Sequence, residues 1–106
     1  MKFRISLEKE NLLSFMRKAG YAPEGKTPQE EFTFHRSMGG AFPRFHAYCV
    51  VSKDLKFADI NLHLDQKAPS YKGTPAHGGE YEGVVVENEV RRITQKSQPL
   101  ETGNSS

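Results

Sequence analysis

The feature that most constrains the fold is a strict alternation of apolar and polar residues in the middle of the chain. Residues 58–65 read Ala-Asp-Ile-Asn-Leu-His-Leu-Asp. Successive side chains of a β-strand point to opposite faces of a sheet, so this pattern predicts a strand over about Phe57–Asp65 with one apolar face. The other face would carry Asn61, His63 and Asp65, and an imidazole beside a carboxylate makes that face a candidate site.

Two earlier segments alternate in the same way. Glu30–Arg36 and Phe42–Ser52 are predicted strands, separated by Ser37-Met38-Gly39-Gly40, a sequence typical of a hairpin turn. Lys53-Asp54 separates the second strand from the third. Strands joined by short turns pair antiparallel, so we expect a three-stranded meander.

Helices are expected on both sides of this meander. Ser6 can cap a first helix over about Leu7–Lys18, which Gly20 would end. A last helix is expected over about Glu82–Lys96, although residues 84–86, three consecutive valines, also suit a strand.

The remaining segments are less regular. Phe3 and Ile5 alternate with basic residues and are compatible with a short leading strand or with an extended lead-in. Tyr21–Gln29 is interpreted as a connector because it contains two prolines and a glycine. Gln66–Gly79, rich in proline and glycine, is interpreted as a binding loop or lid.

The predicted fold is therefore α+β, in the order αβββα, with both helices on one face of the three-stranded antiparallel meander. We expect one domain over residues 1–96 and a flexible polar tail over residues 97–106. The helix-covered face would hold the apolar strand residues, which are Phe32, Phe34, Phe45, Ala47, Leu62 and Leu64. The opposite face would hold the polar ones, which are Thr33, His35, Arg44, His46, Tyr48, Asn61, His63 and Asp65.

Composition narrows the class of protein. The net charge of +2 on 106 residues is too small to indicate a polyanion partner by itself. Cys49 has no partner for an internal disulfide and is expected in the core. The chain shows no secretory signal and no apolar run of membrane-spanning length, so we expect a cytoplasmic protein without a membrane role.

The histidines are the residues best suited to chemistry. His63 and His46 fall on neighbouring predicted strands and can act as a general acid and base, with Lys67 or Arg44 as the group that stabilises an anionic transition state. A ligand would also contact polar residues on the same face, in the Gln66–Gly79 loop and after it. These are Arg44, Tyr48, Asn61, Asp65, Lys67, His77 and Glu80. The same histidines and Asp65 are chemically suitable metal ligands, but they lack a recognisable ligand spacing, so the sequence assigns no metal and no cofactor.

One family resemblance bears on this site. The helix followed by Gly20-Tyr21, and then a strand with His35 in Phe-Thr-Phe-His-Arg, resembles the HicA family of small bacterial toxins with a double-stranded-RNA-binding-like fold. The resemblance implies a helix, three strands and a helix, with His35 as the residue that cleaves messenger RNA. The family's Gly-Ser-His segment is absent, because Phe34 precedes His35 here. Separately, His63–Lys67 and Glu80–Gly83 are similar to small uncharacterised bacterial proteins, a likeness that implies no function.

Three functions follow as expectations. The first is a small binding domain that uses the exposed sheet face for RNA or a phosphate-bearing ligand. The second is a hydrolase or ribonuclease, either metal-assisted or based on the histidines. The third is a regulatory domain that binds another protein.

Overall fold

The computed structural model describes residues 1–40, 43–66 and 78–97, with backbone only for residues 78–82. These residues form an α+β fold with two helices and a five-stranded sheet. In chain order the elements are β1 (Lys2–Ser6), α1 (Leu12–Lys18), β2 (Ala22–Lys26), β3 (Phe32–Ser37), β4 (Arg44–Val51), β5 (Phe57–Asp65) and α2 (Gly78–Ser97).

The strands lie in the order β1-β5-β4-β3-β2, and every neighbouring pair is antiparallel. The α+β class is confirmed. The predicted sheet of three strands is too small, because β3, β4 and β5 pair in sequence order but form only the middle of a five-stranded sheet. The order αβββα is wrong, because β1 and β2 extend the meander at its two edges.

Phe3 and Ile5 belong to strand β1, so of the two predicted alternatives the strand is correct. It pairs with β5 from Lys2↔Asn61 to Ser6↔Phe57, and this register directs Ile5 into the core, where it is buried. The alternation of these residues was therefore a true strand signal.

The prediction of a connector over Tyr21–Gln29 is wrong, because Ala22–Lys26 forms β2. Proline and glycine disfavour central strands, but an edge strand tolerates both, since only one of its sides needs to pair. The register of β2 on β3 shifts between Pro23 and Gly25. This bulge carries Glu24 as its extra residue.

Helix α1 begins later than predicted. Asn11 rather than Ser6 is its N-cap, and the Asn11 side chain accepts a hydrogen bond from the Ser14 amide at 2.8 Å. Ser6 instead ends β1, because its pairing with Phe57 holds it in the sheet. Gly20, at φ 96°, follows the helix as predicted, in a conformation that favours glycine.

Helix α2 spans Gly78–Ser97 and so begins before the predicted Glu82. The three valines at 84–86 are helical, and the strand alternative is wrong. The predicted Gln66–Gly79 loop therefore ends earlier, because Gly78 and Gly79 belong to the first turn of α2. Residues 67–77 of that loop and the predicted tail from residue 98 onward lie outside the described residues.

Both helices pack on the apolar face of the sheet, as predicted. In the middle of that face Phe34, Ala47 and Leu62 lie opposite one another on β3, β4 and β5, and all three are buried. Met16 of α1 and Ile93 of α2 are completely buried against this face. The other side of the sheet, called here the open face, is thereby left to the polar side chains of the strands.

Candidate functional site

Three histidines form one line across the open face. The strand register pairs His35 with His46 and His46 with His63. Directly opposed residues of antiparallel strands place their side chains on the same face, with Cβ atoms about 5 Å apart. These residues are called the histidine row, and the prediction that His46 and His63 share a face is confirmed.

The neighbouring lines across the sheet are also polar. Arg44 pairs with Asp65 on one side of the histidine row, and Tyr48 pairs with Asn61 on the other. The alternation of β4 and β5 forces this arrangement, because their apolar residues occupy the opposite face. The sequence-predicted ligand residues of these two strands therefore surround the histidines, although their roles stay predictions.

Glu24 joins this cluster from the bulge of β2. One carboxylate oxygen lies 3.0 Å from Nδ1 of His35, and the other lies 2.9 Å from Nε2 of His46. The oxygen near His35 is also 3.6 Å from Nη1 of Arg44. Sequence reasoning missed Glu24, because it had placed the residue in a connector without a register to any strand.

The contacts between Glu24 and the two imidazoles are close in distance but imperfect in direction. Nδ1 of His35 and Nε2 of His46 are buried and make no hydrogen bond of acceptable angle with any described group. At these short distances the carboxylate attracts a protonated imidazole, but the poor alignment makes each contact weaker than an ideal charged hydrogen bond.

His46 is the most enclosed member of the row. Its Nδ1 lies 3.4 Å from Asp65 on the side away from Glu24, so both ring nitrogens face carboxylate oxygens. The Tyr48 ring stacks on the imidazole with 4.7 Å between ring centroids. His46 is therefore held between two carboxylates and an aromatic ring.

His63 has different surroundings. Its side chain is exposed, and the edge of its ring meets Tyr48 at a centroid distance of 5.6 Å. Partial burial, then the positive amino group of Met1 and then His46, lower the pKa of His63, while Asp65 opposes them. His63 therefore favours the neutral form, which can accept a proton.

Arg44 supplies the cation nearest to the row. Its guanidinium lies 3.6 Å from Glu24 and 3.8 Å from Asp65, and its side chain is 28% exposed. Arg36, only one residue after His35, points instead to the helix-covered face, where it contacts Glu89 at 3.3 Å.

The remaining predicted site residues have other partners or lie outside the described side chains. Asn61 accepts a hydrogen bond from the Met1 amino group at 3.3 Å. Lys67 and His77 lie outside the described residues, and Glu80 is described only by its backbone in α2. Cys49 is fully buried, and burial raises the pKa of its thiol to about 12, which confirms its place in the core.

Two concavities flank the strands. A depression of about 460 Å³ on the open face lies beside Tyr48 and Asn61, with Lys2 and Arg4 in its wall. A groove of about 710 Å³ lies at the other side of the sheet and is lined mostly by apolar side chains, among them Leu12, Phe32 and Leu55. The first adjoins Tyr48 of the open face, whereas the second lies away from the histidine row.

Within residues 1–40, 43–66 and 83–97, no group of three or more His, Cys, Asp or Glu side chains is arranged to hold a metal ion. The described helices include none long and apolar enough to span a membrane.

The chain matches no family model, no curated protein and no solved structure. The resemblance to HicA toxins therefore stays a prediction, and function must be argued from the open face itself.

Proposed function

We propose that the open face binds a phosphate-bearing ligand, with single-stranded RNA as the first candidate. One observation carries the proposal: the three imidazoles of the histidine row lie in register across β3, β4 and β5, beside Arg44 and Tyr48. Protonated imidazoles and a guanidinium are donors that bind phosphate oxygens.

Aromatic rings on the same face favour RNA over a bare phosphate. Tyr48 and His63 present rings in two orientations, 84° apart. Proteins that bind single-stranded nucleic acid stack bases on such rings while cations follow the backbone. The depression beside Tyr48 extends this surface toward Lys2 of β1.

The charge of the face depends on pH, because three of its side chains are histidines. Arg4 is neutralised by Asp59 at 2.8 Å, and Arg44 lies between Glu24 and Asp65. Protonation of His63 adds positive charge to the face. Because the pKa of His63 is lowered below the ordinary 6.5, we expect affinity for phosphate groups to rise as the pH falls from about 7.5 to about 5.5.

The experiment measures binding of a fluorescently labelled single-stranded RNA by polarisation at low salt, at both pH values. We expect His46→Ala/His63→Ala to weaken binding at least about tenfold at the lower pH, the loss of roughly one or two charged contacts. Arg91→Ala is the control for general charge, because Arg91 is exposed on α2. Absence of binding at high micromolar protein, or equal weakening by the control, would overturn the proposal.

A second candidate function, cleavage of the bound RNA, is favoured by the different surroundings of two imidazoles: His46 lies between two carboxylates, whereas His63 is exposed and its pKa is lowered. The neutral imidazole of His63 would take the proton of a ribose 2′-hydroxyl, whose oxygen then bonds to phosphorus. The protonated His46 would give a proton to the departing 5′-oxygen as the phosphorus–oxygen bond breaks. Arg44 would stabilise the added negative charge on the phosphate.

This reaction requires a 2′-hydroxyl and no metal. We expect the protein to shorten the RNA in the presence of a chelator, to leave the 2′-deoxy oligonucleotide intact, and to lose activity in His63→Ala. His35→Ala separates this assignment from the HicA resemblance, which implies His35 as the residue that cleaves. Intact RNA after prolonged incubation would reject cleavage and leave the binding proposal standing.

A further inference from the structure

We propose that Glu24 is a built-in competitor that occupies the phosphate position on the histidine row, so that a ligand phosphate binds by displacing it. This inference rests on the proposed function and specifies how binding is regulated. It depends on the contacts of one carboxylate and on the strand that carries it.

The Glu24 carboxylate makes the contacts expected of a bound anion. Its two oxygens lie 2.9 Å from His46 and 3.0 Å from His35, and a third contact reaches Arg44 at 3.6 Å. A phosphate group also presents two neighbouring oxygens to paired donors. The donors we assign to the ligand are therefore already used by Glu24.

The position of Glu24 makes displacement feasible. Its strand, β2, lies at the edge of the sheet, pairs with β3, and has all five residues exposed. The register shift at Pro23 and Gly25 interrupts the pairing at Glu24 itself. A residue at such a bulge can change its direction without loss of the strands behind it.

The contacts themselves are also weak enough to exchange. The side chain of Glu24 is 27% exposed, and the facing nitrogens of His35 and His46 lack well-aligned hydrogen bonds. A partly solvated carboxylate with poorly aligned partners contributes little to stability. A ligand phosphate with better alignment and more charge would therefore compete with it.

The test compares RNA binding by Glu24→Gln and Glu30→Gln, with the labelled RNA used above. Both changes remove one negative charge from the β2–β3 region, but Glu30 contacts Lys26 at 3.1 Å rather than the histidine row. We expect Glu24→Gln to bind at least about tenfold more tightly than the wild type, and Glu30→Gln to stay within about twofold.

Glu24→Asp separates the position of the carboxylate from its charge. The shorter side chain keeps the charge but withdraws it from the imidazoles, so we expect tighter binding than in the wild type here too. Glu24→Asp also replaces Glu24→Gln as the test variant if circular dichroism shows that Glu24→Gln is misfolded.

The outcomes distinguish this inference from the proposed function. If the wild type binds RNA through His46 and His63 while Glu24→Gln binds equally or more weakly, Glu24 is a positioning residue and only the inference fails. If neither the wild type nor any Glu24 variant binds RNA, both fail. Binding by the wild type that becomes at least about tenfold tighter in Glu24→Gln supports both.

Discussion

Glu24 and Glu89 are carboxylates that meet several donors on opposite faces of the same sheet. Glu89 of α2 is 5% exposed and accepts well-aligned hydrogen bonds from Tyr21 at 2.7 Å and from Arg92 at 2.8 and 2.9 Å. Arg36 adds a further bond at 3.3 Å. Glu24 has comparable distances to its partners, but its side chain is 27% exposed and its imidazole contacts lack that alignment.

The Glu89 cluster has a structural role, whereas the donors of the Glu24 cluster can exchange their partner. The donors around Glu89 come from Tyr21, which lies between α1 and β2, from β3 and from α2, and Arg92 also donates to the Ala19 carbonyl at 2.7 Å. Such a saturated carboxylate fixes α2 to the sheet and has no capacity left for a ligand. The Glu24 contacts join β2 to β3 and β4, which are already linked through backbone pairing, so the donors around Glu24 can change partner without separating these strands.

Truncation of each carboxylate gives the largest expected contrast. We expect Glu89→Ala to lower the free energy of unfolding by about 2 to 4 kcal/mol, because Tyr21 and Arg92 lose their hydrogen-bond acceptor. The loss stays below the full cost of breaking a buried ion pair, since the guanidinium groups still reach water. Glu24→Ala should cost less than about 1 kcal/mol. Urea unfolding followed by circular dichroism measures both, and equal losses would contradict the comparison.

The pH dependence of stability gives a smaller contrast. Burial raises the pKa of Glu89, but the hydrogen bonds from Arg92 and Tyr21 and the nearby guanidinium charges outweigh it, so the pKa is lowered. A carboxyl whose pKa is lower in the folded than in the unfolded protein stabilises the fold above its unfolded pKa, about 4.3, and loses this contribution as the pH falls through the folded pKa.

We therefore expect the difference in unfolding free energy between the wild type and Glu89→Gln to shrink as the pH is lowered from 6 toward 3. Urea titrations at several pH values measure it. If the unfolding free energies of the two proteins change with pH in parallel, Glu89 does not cause this pH dependence.

The smallest expected effect concerns His63 on the open face. Burial, the Met1 amino group and His46 lower its pKa below the ordinary 6.5, while the carboxylate of Asp65 raises it. Asp65→Asn should therefore lower the pKa of His63 further. An NMR titration of the imidazole protons measures the change, and an upward shift would contradict the electrostatic description of the row.

Much of the central sheet could be predicted because alternation is a local property. Leu62 and His63 are neighbours in the chain, and the pleat alone sends one to the core and the other to the open face. The same argument placed His46, Tyr48 and Arg44 with His63. It could not place the helix start at Asn11, since the pairing of Ser6 with Phe57 across the sheet decides where β1 ends.

Both carboxylate clusters were beyond sequence reasoning. Glu89 lies 53 residues from Arg36 and 68 residues from Tyr21 along the chain, so no local pattern links them. Glu24 lies between Pro23 and Gly25, residues that are typical of turns. An edge strand tolerates both residues, but the sequence alone does not show that this segment is an edge strand.

By itself, the sequence determined which side chains share a face of each central strand, because covalent geometry alternates them. Only the tertiary structure decided that three histidines meet in one line and that a carboxylate from an edge strand lies against two of them. Strand register and edge pairing depend on contacts between distant segments, and those contacts are chosen by the packing of the whole core.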